Sequence, residues 1–214
     1  MTIEPLLKIK SDACKHHSRM LHACWKRAIV FGATSMKSDQ SKEFDVVALW
    51  EAMEAQRKRR GLSWQGVMDE MSAASSIVVA SLGSKNHPMS ASTVKNMAKR
   101  GSVTCQPALG MLRWLGQPPE CFVPHDTDLP KAPLPKAGPD RRLRWDIWAM
   151  ADLLDAERRS RGLTWNQLAD ELGCSSNQVS GLRRRRYGIS IQLAMRIARW
   201  LRRPAADFIV AAQW

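Results

Sequence analysis

The sequence predicts an all-α protein built from two helical domains of about five helices each, joined by a Pro-rich linker. Three observations predict it. Two short anchors occur twice in the same order: RGLSW at 60–64 returns as RGLTW at 161–165, and RWLGQPPECF at 113–122 returns as RWLRRPAADF at 199–208. Upstream of the first anchor in each copy runs an apolar stripe at i, i+3, i+4, i+7, which puts four side chains on one face of a helix. The stripe is Val46, Leu49, Trp50 and Met53 in one copy and Ile147, Met150, Ala151 and Leu154 in the other. Between the copies, five of the chain's 11 prolines fall within 123–140, where a fixed φ and a missing N–H favour an extended connector.

From the N-terminus, residues 1–40 have no counterpart in the repeat and no sustained periodicity, and are read as an arm or accessory segment. The first domain spans 41–123. Its tryptophans Trp64 and Trp114 are 50 positions apart, against 35 for Trp165 and Trp200, so it carries 15 extra residues. These fit as an insertion at about 72–89, which prolongs the preceding helix and forms a loop through Gly83 to Pro88. Ser90 opens the next helix, with Val94 and Met97 facing inward. After the linker at 124–140, the second domain occupies 141–214. There Thr164 and Gln167 make a capping box, in which the hydroxyl accepts an orphan N–H and the amide reaches back. Trp165, Leu168, Ala169 and Leu172 form one buried stripe, and Gly173 supplies a residue that tolerates the left-handed region. Ser175 and Gln178 make a second box ahead of Val179 and Leu182. Ser190 starts a helix whose face is Ala194, Ile197, Ala198 and Leu201, and Pro204 opens a last short helix through Phe208. Seven of the chain's nine tryptophans, Trp50, Trp64, Trp114, Trp145, Trp148, Trp165 and Trp200, are placed on helices as packing residues.

The segment LTWNQLADELGCSSNQVSGL at 163–182 resembles the bacterial and phage repressor helix-turn-helix family, the Cro-like or xenobiotic-response-element (XRE) type. The resemblance rests on small Ala169 where two helices cross, Gly173 in the turn, and Val179 and Leu182 as the inner face of the second helix. It covers about 65 residues of the second copy and, more loosely, the first. It implies a sequence-specific transcriptional regulator that lays the second helix of each pair in the major groove of double-stranded DNA. The base-reading positions so implied are Ser175, Ser176, Asn177, Gln178 and Ser180, with Ser90, Ser92, Thr93 and Asn96 in the first copy. Asn and Gln suit adenine, and Ser suits several base edges. Gly181 departs from the pattern, offering no side chain to a base, and Trp165 stands where family members often place a glutamine. Phosphate contacts are expected from Thr164, Trp165, Arg183, Arg184, Arg185, Arg186 and Tyr187, and from Lys95, Lys99 and Arg100. Fully extended, the linker reaches about 55 Å at roughly 3.1 Å per residue, more than the roughly 34 Å between adjacent half-sites. The two modules are therefore expected to act as beads on a stiff string.

Charge agrees with that partner. The net charge is +13, and residues 141–214 hold fourteen arginines and no lysine against seven acids; arginine is the side chain suited to phosphate forks. The first copy is less basic and carries the insertion. Hence an alternative in which only the second domain binds DNA, while the first is a degenerate protein-interaction module for RNA polymerase, a toxin or self-association. A homodimer is a further possible partner.

Other chemistry finds little support. There is no phosphate-cradling glycine loop, no H-E-x-x-H and no serine elbow, so no enzyme activity, catalytic residue or cofactor is expected. Five cysteines without a C-x-x-C pair fit neither a disulfide framework nor a zinc finger and favour a reducing cytoplasm, with the protein nucleoid-associated. Cys14, His16, His17, His22 and Cys24 crowd together but lack paired ligand spacing, so no metal is expected. Cys105 and Cys121 lie in apolar context and read as buried. No apolar stretch of about 18 residues exists, and no membrane or export signal is read.

Overall fold

The computed structural model describes residues 43–71, 91–124, 129–138, 141–184 and 188–212. The arm at 1–40, the insertion at 72–89, Ser90, and Arg185, Arg186 and Tyr187 lie outside the described residues, as do the side chains of Thr93 and Arg183.

The described chain is mostly helical, and each copy of the repeat builds the same series. Helix α1 (Val46–Arg59) starts where Asp45 accepts the Ala48 N–H at 2.9 Å, and buries Val46, Ala48, Leu49, Ala52 and Met53. It ends with Arg57, Lys58 and Arg59 against the negative end of its dipole. Residues 64–71 form α2, Ala91–Arg100 α3 and Cys105–Leu115 α4, followed by a 3₁₀ turn at Pro119–Phe122. In the second copy Asp146 accepts the Ala149 N–H at the head of α5 (Ile147–Ser160). Then come α6 (Trp165–Glu171), α7 (Ser176–Arg183), α8 (Ile191–Trp200) and a 3₁₀ turn at Ala205–Phe208.

One locking device recurs in both copies. Arg57 lies over the Trp64 ring, pairs with Glu54 and donates to the Leu62 carbonyl. Arg158 does the same with Trp165, Asp155 and Leu163. Arg60 covers Trp114, whose indole N–H donates to Glu70 at 2.8 Å, and Arg161 covers Trp200, whose indole donates to Glu171 at 2.7 Å. Each guanidinium over an indole contributes on the order of 0.5–1 kcal/mol at sites that stay partly open to water. These tryptophans therefore hold both ends of α2 and of α6: Trp64 and Trp165 at the start, Trp114 and Trp200 through Glu70 and Glu171 towards the end.

Two short strands were not expected. β1 (Arg142–Trp145) pairs antiparallel with β2 (Ile209–Ala212), Arg142 opposite Ala212 and Trp145 opposite Ile209. Trp145 thus sits on a strand rather than a helix. Trp148, on α5, is 43% exposed rather than part of the core.

The expected pair of separate beads is corrected as well. Residues from Asp39 onward form one compact unit, and a single apolar core runs through both copies, from Leu49, Met53 and Leu112 to Leu154, Ile197 and Phe208. The connector does not act as a spacer: Leu129 is buried, and Leu134 and Ala137 pack against the core. The cause lies in α8, where Leu193 and Met195 are buried along with Ala194, Ile197 and Ala198. A helix apolar on more than one face needs a second neighbour, and that neighbour is α4.

The two copies meet about a local two-fold. Thr104 and Ser190, each ten residues before its copy's tryptophan, form an antiparallel bridge. The Cys105 N–H donates to the Ile189 carbonyl at 3.0 Å and the Ile191 N–H to the Val103 carbonyl at 2.9 Å. A pair in which each residue meets its own equivalent, with reciprocal bonds, is the mark of an isologous contact. Around it the halves differ. Glu120, only 2% exposed, accepts the Ala205 N–H at 2.7 Å; at the equivalent of Ala205 the first copy has Pro119, which has no N–H, and at the equivalent of Glu120 the second has Ala206.

Candidate nucleic-acid interface

The sequence-nominated residues of the second copy gather on α7 and the residues that lead into it. Both capping boxes form: Thr164 accepts the Gln167 N–H and Ser175 the Gln178 N–H, while each glutamine carbonyl accepts from its cap residue's backbone. The turn between them carries Gly173 at φ +61°. It is anchored by Arg196 on α8, which donates to the Gly173 carbonyl and pairs with Glu43 of the first copy. Val179 and Leu182 are buried beneath α7, with Leu168 and Ala169 under α6. The outer edge of α7 is therefore held by caps at its start, apolar contact beneath and an arginine at its turn.

On that edge Ser176, Asn177 and Gln178 are exposed and Ser180 is half-buried. Their hydrogen bonding separates them. The Gln178 carbonyl is committed to the cap, which leaves its NH₂ to donate but removes the acceptor a bidentate adenine contact needs. The Ser176 hydroxyl donates to Asn166 at 3.1 Å, tying α7 to α6. Asn177 has no side-chain hydrogen bond among the described residues, so its whole amide is open to a base edge. Gly181 has open space where a Cβ would stand. Thr164 is exposed and Trp165 half-buried beneath Arg158. Arg183 ends α7 and Arg184 follows it, exposed.

In the first copy, α3 buries Val94 and Met97 and exposes Ser92, Lys95, Asn96, Lys99 and Arg100. Superposing the two inner faces, Val94 on Val179 and Met97 on Leu182, sets Ser92 against Asn177, Lys95 against Ser180 and Asn96 against Gly181.

Elsewhere the chemistry is sparse. Burial pushes the Cys105 thiol well above its ordinary range, and its Sγ donates to the Ser190 carbonyl, so it is a packing residue of the two-fold contact. Cys121 is half-buried rather than buried. Among the described residues no cluster of three or more His, Cys, Asp or Glu could hold a metal, and no helix is long and apolar enough to cross a membrane. The tract from Cys14 to Cys24 lies outside those residues. Two features escaped the sequence reading, the anchoring of the turn by Arg196 and the buried Glu120; both depend on partners 153 and 85 positions away. Comparison of the chain with protein-family models, with curated proteins and with solved structures finds no match.

Proposed function

We propose that this chain is a sequence-specific double-stranded DNA-binding transcriptional regulator. It uses two helix-turn-helix pairs, α2 with α3 and α6 with α7, and lays α3 and α7 in the major groove. The observation that carries the reading is α7 itself: a capped helix on a tight glycine turn, with Asn177 exposed on its outer edge and without a side-chain hydrogen bond among the described residues. A helix with side chains is about 10–12 Å across, and the major groove is about 12 Å wide. Asn177 then takes adenine N6 and N7 in two bonds, while Ser176 and the Gln178 NH₂ contact neighbouring edges. Arg183 to Arg186, and Lys99 and Arg100 in the first copy, are the arginines and lysines that neutralise phosphates in this reading. The compartment that fits this role is a bacterial cytoplasm, on the nucleoid.

The test is selection from a randomised duplex library with the full chain. Asn177→Ala is expected to cost about 1–3 kcal/mol of discrimination at one base pair while leaving the others. Replacing Arg183 to Arg186 with glutamine is expected to weaken binding to all sequences alike and to flatten the salt dependence by about 0.9 per lost contact. An unchanged sequence preference together with an unchanged salt slope would refute the reading. The narrower version, in which the first half serves a protein partner, is told apart in the same assay. It requires Asn96→Ala and Lys99→Ala to leave DNA binding untouched.

A further inference from the structure

We infer that one chain is its own dimer: it binds as a monomer to two unequal half-sites in inverted orientation, at one fixed separation. The inference rests on the DNA-binding reading of α3 and α7, and goes beyond it in orientation, stoichiometry and spacing.

Orientation follows from the bridge. Two modules linked as tandem copies can sit on DNA head to tail, in which case they read direct repeats, or related by a two-fold, in which case they read inverted ones. Here Thr104 faces Ser190 in antiparallel sense with reciprocal bonds, and α4 packs on α8, its own equivalent. A rotation that exchanges those partners also exchanges α3 with α7, each of which precedes its bridge residue in the chain. The local two-fold of the protein then coincides with a dyad of the duplex, as symmetric binders require.

Spacing follows from the core. A connector of roughly 55 Å reach would tolerate many separations. The halves are instead joined by α4 packing on α8 and by one core that takes in Val103, Ala108 and Met111 from one half and Ile191, Leu193 and Met195 from the other, so the helices are held by packing rather than by a tether.

Stoichiometry follows from the asymmetry at the same contact. The Ala205 N–H finds its acceptor in Glu120, whereas Pro119 has no donor and Ala206 no acceptor. Two second halves from different chains would leave both Ala205 donors without that carboxylate, and two first halves would bury two carboxylates facing prolines. An orphaned buried donor or charge disfavours each wrong pairing. The halves therefore prefer one another, and the surface a homodimer would use is already occupied.

Inequality of the half-sites follows from the superposed readers. Ser92, Lys95 and Asn96 stand where the other copy has Asn177, Ser180 and Gly181, so the same groove position meets different chemistry in each half.

The experiment makes the two readers alike. A full-length variant carrying Ser92→Asn, Lys95→Ser and Asn96→Gly is taken through selection on a duplex library with a wide random window. The reciprocal variant, Asn177→Ser, Ser180→Lys and Gly181→Asn, is run beside it in case the first is too unstable. The inference expects an inverted repeat with a single centre-to-centre separation, bound by one chain per duplex. It expects a direct repeat of the same half-sites to bind at least about tenfold more weakly, since one half is then wholly mismatched. Enrichment of direct repeats, of several separations, or of complexes with two chains per duplex overturns the inference and leaves DNA binding intact. No enriched sequence from either variant or from the natural chain overturns both.

Discussion

Arg202 occupies the left-handed region at φ 54°, at the position where the first copy has Gly116 at φ 66°. An L side chain there costs about 1–2 kcal/mol relative to the right-handed conformation, and glycine avoids it. Arg202→Gly is therefore expected to stabilise the chain by about 0.5–1 kcal/mol, and Gly116→Ala to destabilise it by a similar amount; thermal denaturation reads both. Glu120 gives a pH signature. Burial raises its pKa above the usual carboxylate range, with the Ala205 N–H acting against that shift. Its contribution to stability is present below the unfolded value of about 4.3 and is lost as pH rises through the higher folded value. Glu120→Gln keeps an oxygen for the Ala205 N–H and removes the charge. Its melting temperature is expected to exceed that of the natural chain at neutral pH, with the gap closing towards pH 4. Parallel pH profiles for the two proteins would show that Glu120 does not carry this linkage. The exposed place of Asn177 at the start of α7 was legible in the sequence. The capping box of Ser175 and Gln178 was legible as well; what only the bonds show is that the Ser175 N–H and hydroxyl both donate to the Gln178 carbonyl.

At the scale of elements, what was legible was local. Thr164 with Gln167 and Ser175 with Gln178 are three-residue codes that need no tertiary partner, and both boxes form where the sequence puts them. Ser175→Ala is expected to cost about 1 kcal/mol of stability through the lost cap, measured by denaturant unfolding, in addition to any effect on binding. β1 escaped because a four-residue stretch alternating arginine with an apolar side chain is too short for period two to stand out beside the helical stripe that follows. The inward turn of α8 escaped for a different reason. Leu193 and Met195 flank the predicted stripe, and apolar flanks on a single chain do not say whether they meet their own domain or its copy. The turn between α6 and α7 depends on such a long-range partner. Arg196→Met is expected to destabilise the chain by about 1–3 kcal/mol, since its charged bonds to the Gly173 carbonyl and Glu43 go unmade. Faster hydrogen exchange at Cys174, in that turn, than within α7 would locate the loss; equal exchange in the two would place it elsewhere.

For the whole molecule, the repeat was visible as two pairs of anchors, but their relation was not. Proline content made the connector look like a spacer, whereas Leu129, Leu134 and Ala137 lay it against the core. The 15-residue difference between copies conceals the symmetry in the sequence, while Thr104 and Ser190 restore it in three dimensions. The central claim is that α3 and α7 of one chain read the two ends of one site. The most direct measurement is base-by-base binding of the natural chain, Asn96→Ala and Asn177→Ala to a duplex enriched by selection. The account predicts that each substitution abolishes discrimination at one end only, the two affected positions lying about one helical turn apart. Loss at the same base pairs in both variants, or at none in either, would contradict it.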